Sequence, residues 1–334
     1  MKKLLLLLMA ACLFSTAVHC AEMEKLVILG SGPAGLTSSL FAGQAHLDPL
    51  VIEGGPHEGQ IASVYCIENF PGFPEGISGQ ELSRRMRKQA ENFGARFHPS
   101  HAVTVDLLQY PFHIRLNDGQ EIYCESLVIA TGASPKWLGL KAESVLIGHG
   151  ISSSATLDAQ KFQDQVVLVV GGGDSAMEQA LQLTEYASHV VLIYKDSHLH
   201  AASYLQERVF NHPKIACLFN SEIIDIDGVD QGYVTGAIVK NLDTQTDAYI
   251  ACRGIFVSNG RKPNTDLFLN QLEMTQKGYI VTKPDSTLTS LPGVFAAGDI
   301  THAAYRKVTT AVAAGCMSAF DVAKFLSEKK NPAK

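Results

Sequence analysis

The stretch Lys25-Leu-Val-Ile-Leu-Gly-Ser-Gly-Pro-Ala-Gly-Leu36 constrains the fold more than any other part of the chain. An apolar run suited to a buried strand enters a G-x-G-x-x-G turn, and Pro33 and Ala34 then open a helix. The spacing gives each glycine its own task. Gly30 permits the tight turn, Gly32 lets the backbone approach a pyrophosphate, and Gly35 lets the helix pack against its strand, with the diphosphate at the helix N-terminus. Three glycines alone also describe an ordinary turn. Here the context decides, because a second strand, Pro49 to Ile52, follows the helix and ends in Glu53, where a carboxylate is placed to hold a ribose.

Val166-Val-Leu-Val-Val-Gly-Gly-Gly-Asp-Ser-Ala176 repeats the device as strand, G-x-G-x-x-A turn and helix through about Tyr186, followed by the strand Val190 to Tyr194. Each cradle has an echo, a buried strand ending in a glycine turn: Leu127 to Ala133 for the first, Gly254 to Gly260 for the second. Two cradles with two echoes predict an α/β protein of two Rossmann-like dinucleotide-binding domains. Between them lie a loop punctuated by Glu58-Gly-Gln60 and Cys66 to Pro74, and an amphipathic basic helix, Gly79 to Phe93. Strands Ala102 to Asp106, Phe112 to Leu116 and Glu121 to Tyr123 follow, with Asn117-Asp-Gly119 as a hairpin turn. Later, Leu291 to Asp299 is a strand capped by glycine and a carboxylate. The helix from about Val308 to Leu326 carries Ala311, Ala313, Ala314 and Gly315, small enough for close approach to a flat ligand or for simple helix packing.

At 334 residues the chain exceeds a usual single core. A net charge of -6 and a pI near 6.0 leave no basic surface for nucleic acid. Met1-Lys2-Lys3, the apolar run Leu4 to Phe14 and the small residues Ser15, Thr16 and Ala17 have the form of a secretory signal over residues 1–21. The run is short of the roughly 20 residues needed to cross a bilayer, which favours cleavage and a secreted or periplasmic protein over a membrane-associated one. Lipid attachment at Cys20 is disfavoured by His19, and a cytoplasmic address remains the alternative, since Lys2-Lys3 is no twin-arginine signal and the cofactor would have to be found after export. Cys12 and Cys20 belong to this segment; Cys66, Cys124, Cys217, Cys252 and Cys316 remain, and none forms C-x-x-C. That spacing supplies neither a metal site nor a local redox disulfide, and buried small hydrophobes are the expected reading.

With Gly30-Ser-Gly-Pro-Ala-Gly35, Ala130-Thr-Gly132, Gly171-Gly-Gly-Asp-Ser-Ala176 and Gly298-Asp299 in this order, the chain resembles the low-molecular-weight thioredoxin reductases. Gly59-Gln60, Glu68-Asn69, Pro71-Gly72, Pro263-Asn264-Thr265, Tyr305-Arg306 and Gly315-Cys-Met317 reinforce the likeness, which runs from about Lys25 to Leu326. The resemblance implies FAD in the first domain, NADH or NADPH in an inserted second one, and a homodimer. It sets the FAD-binding domain at 22–135 plus 261–330 and the NAD(P)-binding domain at 136–260. It also implies that Gly30, Gly32, Gly35 and Glu53 hold the adenosine diphosphate of FAD, that Gln60 and Asn69 lie along the flavin side and that Asp299 holds the ribitol, with Pro33, Ala34, Thr131, Gly132 and Gly298 also at the FAD site. Gly171, Gly173, Asp174, Ser175 and Ala176 would cradle the nicotinamide dinucleotide, with Lys195 and Asp196 near its ribose.

Two departures bear on function. Where the family carries its redox dithiol in Cys-Ala-Thr-Cys-Asp, this chain reads Ser154-Ala-Thr-Leu157-Asp158, and a hydroxyl and an isobutyl group cannot make a thiolate or a mixed disulfide. Asp158 stays as a weak catalytic candidate or a helix cap. After Tyr194 the family pattern is arginine-rich, whereas Lys195-Asp196-Ser-His-Leu-His200 leans towards an unphosphorylated ribose. The expected function is an FAD-dependent NAD(P)H oxidoreductase passing electrons to an unidentified external acceptor: a redox protein, a quinone, a disulfide or dioxygen. The alternatives are a low-turnover redox sensor or scaffold, and a disulfide reductase using another thiol such as Cys66.

Overall fold

The computed structural model describes residues 23–54, 59–63, 67, 69–302 and 304–330. The signal segment, Glu58, Cys66 and Glu68 lie outside the described residues. The first sheet runs in the order β18-β7-β1-β2-β3 and is parallel throughout, built from β1 (Val27–Leu29), β2 (Leu50–Ile52), β3 (Arg96–His98), β7 (Leu127–Ile129) and β18 (Val294–Ala296). Its central strands are apolar at every position because both faces are covered. Alternate residues go opposite ways: Leu26 and Ile28 pack under helices α1 (Pro33–Gln44) and α7 (Val308–Lys330), while Val27 and Leu29 pack under an antiparallel meander. That meander consists of β4 (Ala102–Asp106), β5 (Phe112–Leu116) and β6 (Glu121–Cys124), and contributes Val105, Phe112, Ile114 and Leu116. Each such side chain, fully buried, is worth roughly 1.5–3 kcal/mol, so these two faces carry most of the first unit's stability.

The second sheet repeats the plan. Its order is β12-β11-β10-β16-β9, again parallel: β9 (Ile151–Ser152), β10 (Val166–Val170), β11 (His189–Ile193), β12 (Ile215–Leu218) and β16 (Gly254–Val257). Val167 and Val169 face α5 (Asp174–Leu183) and α6 (Ser203–Phe210). Leu168 and Val170 face the meander β13 (Ser221–Asp227), β14 (Gly236–Asn241) and β15 (Asp247–Ala251). All strands of this sheet fall between β7 and β18 in sequence, so the second dinucleotide-binding unit is inserted into the first. The chain leaves through β8 (Ala133–Pro135) and returns through β17 (Arg261–Pro263), which pair antiparallel.

Two helix limits differ from the sequence reading by more than one residue. Helix α5 ends at Leu183 rather than near Tyr186, because the Tyr186 and Ala187 amides both turn back onto the Leu183 carbonyl. Helix α7 continues past Leu326 to Lys330, since nothing in Ser327-Glu-Lys-Lys330 breaks a helix before Pro332. Helices α2 (Gly79–Asn92), α3 (Glu143–Leu146) and α4 (Ala155–Asp158) are the other α-helices among the described residues.

Candidate active site

A cavity of about 1550 Å³ opens at the carboxyl ends of the first sheet, beside the first cradle. The glycines there act as their spacing requires. Gly30 has φ +108°, and a Cβ on it would stand 2.4 Å from the Ala130 carbonyl oxygen; a Cβ on Gly35 would stand 1.8 Å from that of Gly30. Gly32 is the reverse case, with nothing within 4 Å of an added Cβ, so its open side belongs to the cavity. Helix α1 begins at Gly32 with no side chain capping it. Its first-turn N–H groups therefore face the cavity as an anion site, the arrangement a pyrophosphate requires.

Acids line this cavity at Glu53, Glu81, Asp266 and Asp299. Glu81 is paired with Arg84 and Arg85 and Asp266 with Lys262, and the two carboxylates considered for the hydroxyl groups of a long dinucleotide are Glu53 and Asp299. Glu53 lines the wall with its side chain only 12% exposed, and Arg87 donates to Oε1 at 2.6 Å. The Arg87 guanidinium lies over the Phe97 ring at 4.3 Å, which fixes the carboxylate and leaves its other oxygen to accept a hydroxyl. Asp299 lines the cavity elsewhere. Burial pushes its carboxyl above the ordinary range, and the nearby cations Arg261, Arg306 and His302 pull it back only in part. Burial likewise lowers the Arg261 guanidinium, with Asp299 opposing.

The remaining first-domain residues divide. Gln60 lines the cavity and hydrogen-bonds the Ala133 carbonyl and Arg261. Thr131 and Gly132 line it too, in a turn that Asn264 clamps: Thr131 Oγ1 donates to the Asn264 carbonyl at 2.9 Å, and Asn264 Nδ2 to the Thr131 carbonyl at 2.8 Å. Pro33 and Ala34 are lining residues, whereas Gly298 sits behind them, where a Cβ would meet the Ala34 Cβ at 2.9 Å. Asn69 is exposed and does not line the cavity. The small residues of α7 do not share one role. Ala311 faces the cavity, Ala313 is exposed, and Gly315 is pressed onto α1, where a Cβ would stand 2.2 Å from the Ala34 carbonyl oxygen. Arg87, Arg261 and Asn264 carry roles the sequence reading missed, since each reaches the site from an element distant in sequence.

From the inserted unit, Ser153, Ser154 and Leu157 line the same cavity. Asp158 does not. Its carboxylate accepts from Ser152 Oγ at 2.6 Å and from Lys161 Nζ at 2.6 Å, while Ser152 Oγ also receives the Ser154 amide at 3.1 Å. Asp158 ends α4 and stands at the N-cap position of the 3-10 turn Ala159–Phe162, as the helix-cap reading has it, but its side chain caps no backbone amide and instead ties the Ser152–Ser154 bend to Lys161.

The second cradle is formed but stands apart from this cavity. Gly171 has φ +145° with a Cβ position 2.7 Å from the Ser258 carbonyl oxygen, and Gly173 is open on its outer side as Gly32 is. Asp174 and Ser175 are exposed in the first turn of α5, with Asp174 Oδ1 accepting the Ala202 amide at 2.7 Å; Ala176 is fully buried and packs. Lys195 and Asp196 are exposed beyond β11. Among the described residues, no group of three or more His, Cys, Asp or Glu is placed to hold a metal.

The profile of the pyridine nucleotide-disulphide oxidoreductase family matches residues 24–315. The chain belongs to this family. It is 42% identical to the thioredoxin reductase of Rickettsia bellii over 305 residues, 91% of this chain and 98% of that one. The thioredoxin reductase of Coxiella burnetii is 39% identical over 91% of this chain and 97% of its own length. Among solved structures, Lactococcus lactis thioredoxin reductase superposes with a TM-score of 0.76 at 33% identity, covering 91% of this chain and 99% of that chain. The T. acidophilum enzyme gives 0.72 at 29% identity, over 90% of this chain and 97% of that one. As a member of the family the chain is an NAD(P)H-dependent flavoprotein oxidoreductase with FAD as its bound cofactor. The open face of Gly32, the uncapped start of α1 and the two carboxylates fit that cofactor.

Proposed function

We propose that this protein takes electrons from a nicotinamide dinucleotide onto FAD and passes them to an external acceptor without an internal dithiol. When bound, the flavin supplies the electron chemistry; the chain supplies position, charge and exclusion of water. Gly30, Gly32 and the first turn of α1 would hold the pyrophosphate, Glu53 the adenosine ribose and Asp299 the ribitol, while Gly171 and Gly173 would cradle the coenzyme.

The observation that carries the reading is the pair Ser154 and Leu157 in the wall of the cavity. These stand where the family's two cysteines would be, and neither side chain can accept electrons. Nor do the described cysteines substitute for them: Cys124, Cys217, Cys252 and Cys316 are free thiols, none lines the cavity, and burial pushes Cys252 up to about 12 and raises the others. A thiol held protonated is a poor nucleophile. The acceptor class is tested by reducing the flavin anaerobically with NADH or NADPH and then adding a quinone, an iron-sulfur protein, a disulfide protein or dioxygen. Rapid reoxidation by at least one of the non-disulfide acceptors is expected; a reduced flavin that none of them reoxidises would favour a sensor or scaffold.

We place the mature chain outside the cytoplasm, on the signal-like residues 1–21. Amino-terminal sequencing from the native host should find cleavage somewhere from Ala17 to Ala21, and an intact Met1 on cytosolic protein would contradict this. We further propose a homodimer, as the family resemblance implies.

A further inference from the structure

The two cradles are copies of one device, and their hydrogen bonds align them residue by residue. The Gly30 amide donates to the Ile52 carbonyl at 2.8 Å and the Gly171 amide to the Ile193 carbonyl at 3.0 Å. In each cradle the residue after that carbonyl donates across to the neighbouring strand: Glu53 to His98 at 3.0 Å, Tyr194 to Leu218 at 2.9 Å. The position that carries the ribose carboxylate in the first cradle therefore carries a phenol in the second. Its ring backs the cradle itself, since a Cβ on Gly172 would stand 2.4 Å from the Tyr194 Cζ.

The carboxylate of the second cradle comes two residues later, as Asp196, and the loop that bears it folds back onto the glycines. The His200 amide donates to the Gly172 carbonyl at 2.8 Å, and the His200 ring meets Tyr194 edge-on at 6.0 Å. His200 Nε2 lies 4.0 Å from Asp196 Oδ2. Burial first, and then Asp196, hold the Tyr194 phenol above its ordinary pKa. The geometry that ties the two residues is the His200 ring, which touches Tyr194 and lies next to Asp196.

We propose that Asp196, positioned by Tyr194, selects a dinucleotide whose adenosine ribose is unphosphorylated, making NADH rather than NADPH the preferred donor. This rests on reading the second cradle as the coenzyme site. A carboxylate accepts a ribose hydroxyl and repels a phosphate. Phosphate recognition asks for a guanidinium fork, and residues 195–200 contain no arginine. The one permanent cation of the loop, Lys195, is offset by its neighbour Asp196, and His198 and His200 count as cations only when protonated. Asp174, the other acid at the cradle, is held by the Ala202 amide and adds no positive charge.

The test is calorimetric binding to the FAD-loaded full chain of ADP-ribose and of its 2'-phosphate, at low salt and at a pH where imidazole is neutral. ADP-ribose should bind about tenfold or more tightly than the phosphorylated form, roughly 1.4 kcal/mol. Asp196→Arg should reverse the order, and Tyr194→Phe should narrow the ratio while FAD content stays the same. If Asp196→Arg does not fold, Asp196→Ser should abolish the preference. Equal or tighter binding of the 2'-phosphate by the unaltered chain overturns the proposal and leaves the function above standing. Binding of neither ligand by protein that holds FAD would overturn the coenzyme reading of the second cradle, and this selectivity with it.

Discussion

Asp299, the side chain proposed to hold the ribitol, weighs on the empty protein through its burial. Its pKa is raised in the folded chain, chiefly by burial. A raised carboxyl pKa contributes stability that is fully present below the unfolded value, near 3.9, and is lost as pH rises through the folded value. At neutral pH the buried carboxyl is thus a load on the apoprotein. Asp299→Asn should therefore raise the apoprotein's Tm at pH 7, with the gain vanishing at pH values below the unfolded carboxyl pKa. The same change should weaken FAD about 10- to 100-fold, the equivalent of losing a charged hydrogen bond of roughly 1.5–3 kcal/mol. Thermal scans of apoprotein at the two pH values, beside an FAD titration, check both halves; a lower apoprotein Tm at pH 7 would refute the burial argument. The positions of the glycines in the turn and of Glu53 after β2 were legible in the sequence because they follow from fixed spacing along one strand, turn and helix. Arg87 was not, since it reaches Glu53 from α2 across 34 positions of sequence, and no local pattern marks that meeting.

At the scale of elements, alternation was the readable signal. The hairpin at Asn117-Asp-Gly119 and the apolar strands of both sheets stand where their patterns put them. Helix limits were less legible, because α5 ends through turn hydrogen bonds that composition does not encode. The small residues of α7 were only half legible: composition showed a helix able to approach something closely, but not that Gly315 and Ser318 approach α1 while Ala311 approaches the cavity. Ser318 Oγ donates to Ser38 Oγ at 2.9 Å in that contact. The other side of α7 exposes Met317 at 43% and Phe320 at 64%, an apolar surface away from the face that packs on α1. If this face supports the proposed homodimer, Phe320→Glu should shift the protein to a monomer in light scattering with its FAD content and Tm little changed. A dimer that persists in that variant would remove α7 from the interface.

On the scale of the whole molecule, one plan is used twice, a parallel sheet between helices and an antiparallel meander, and the second copy hangs on the first through β8 and β17. The sequence revealed this duplication because two cradles and two echoes recur in the same order. It could not reveal which part of the inserted unit meets the first cavity, since that depends on how the two bodies are set against each other. In the structure it is Ser153, Ser154 and Leu157, while the second cradle stands apart. The central claim is that electrons leave this cavity without passing through a protein dithiol. Anaerobic titration of the FAD-loaded chain with NADH or NADPH, followed by the flavin's visible absorbance, measures it most directly. About one reduced coenzyme per flavin should complete the bleaching, against about two in a Ser154→Cys, Leu157→Cys double variant. Uptake of about two by the unaltered chain, falling to about one in Cys66→Ser, would contradict the account.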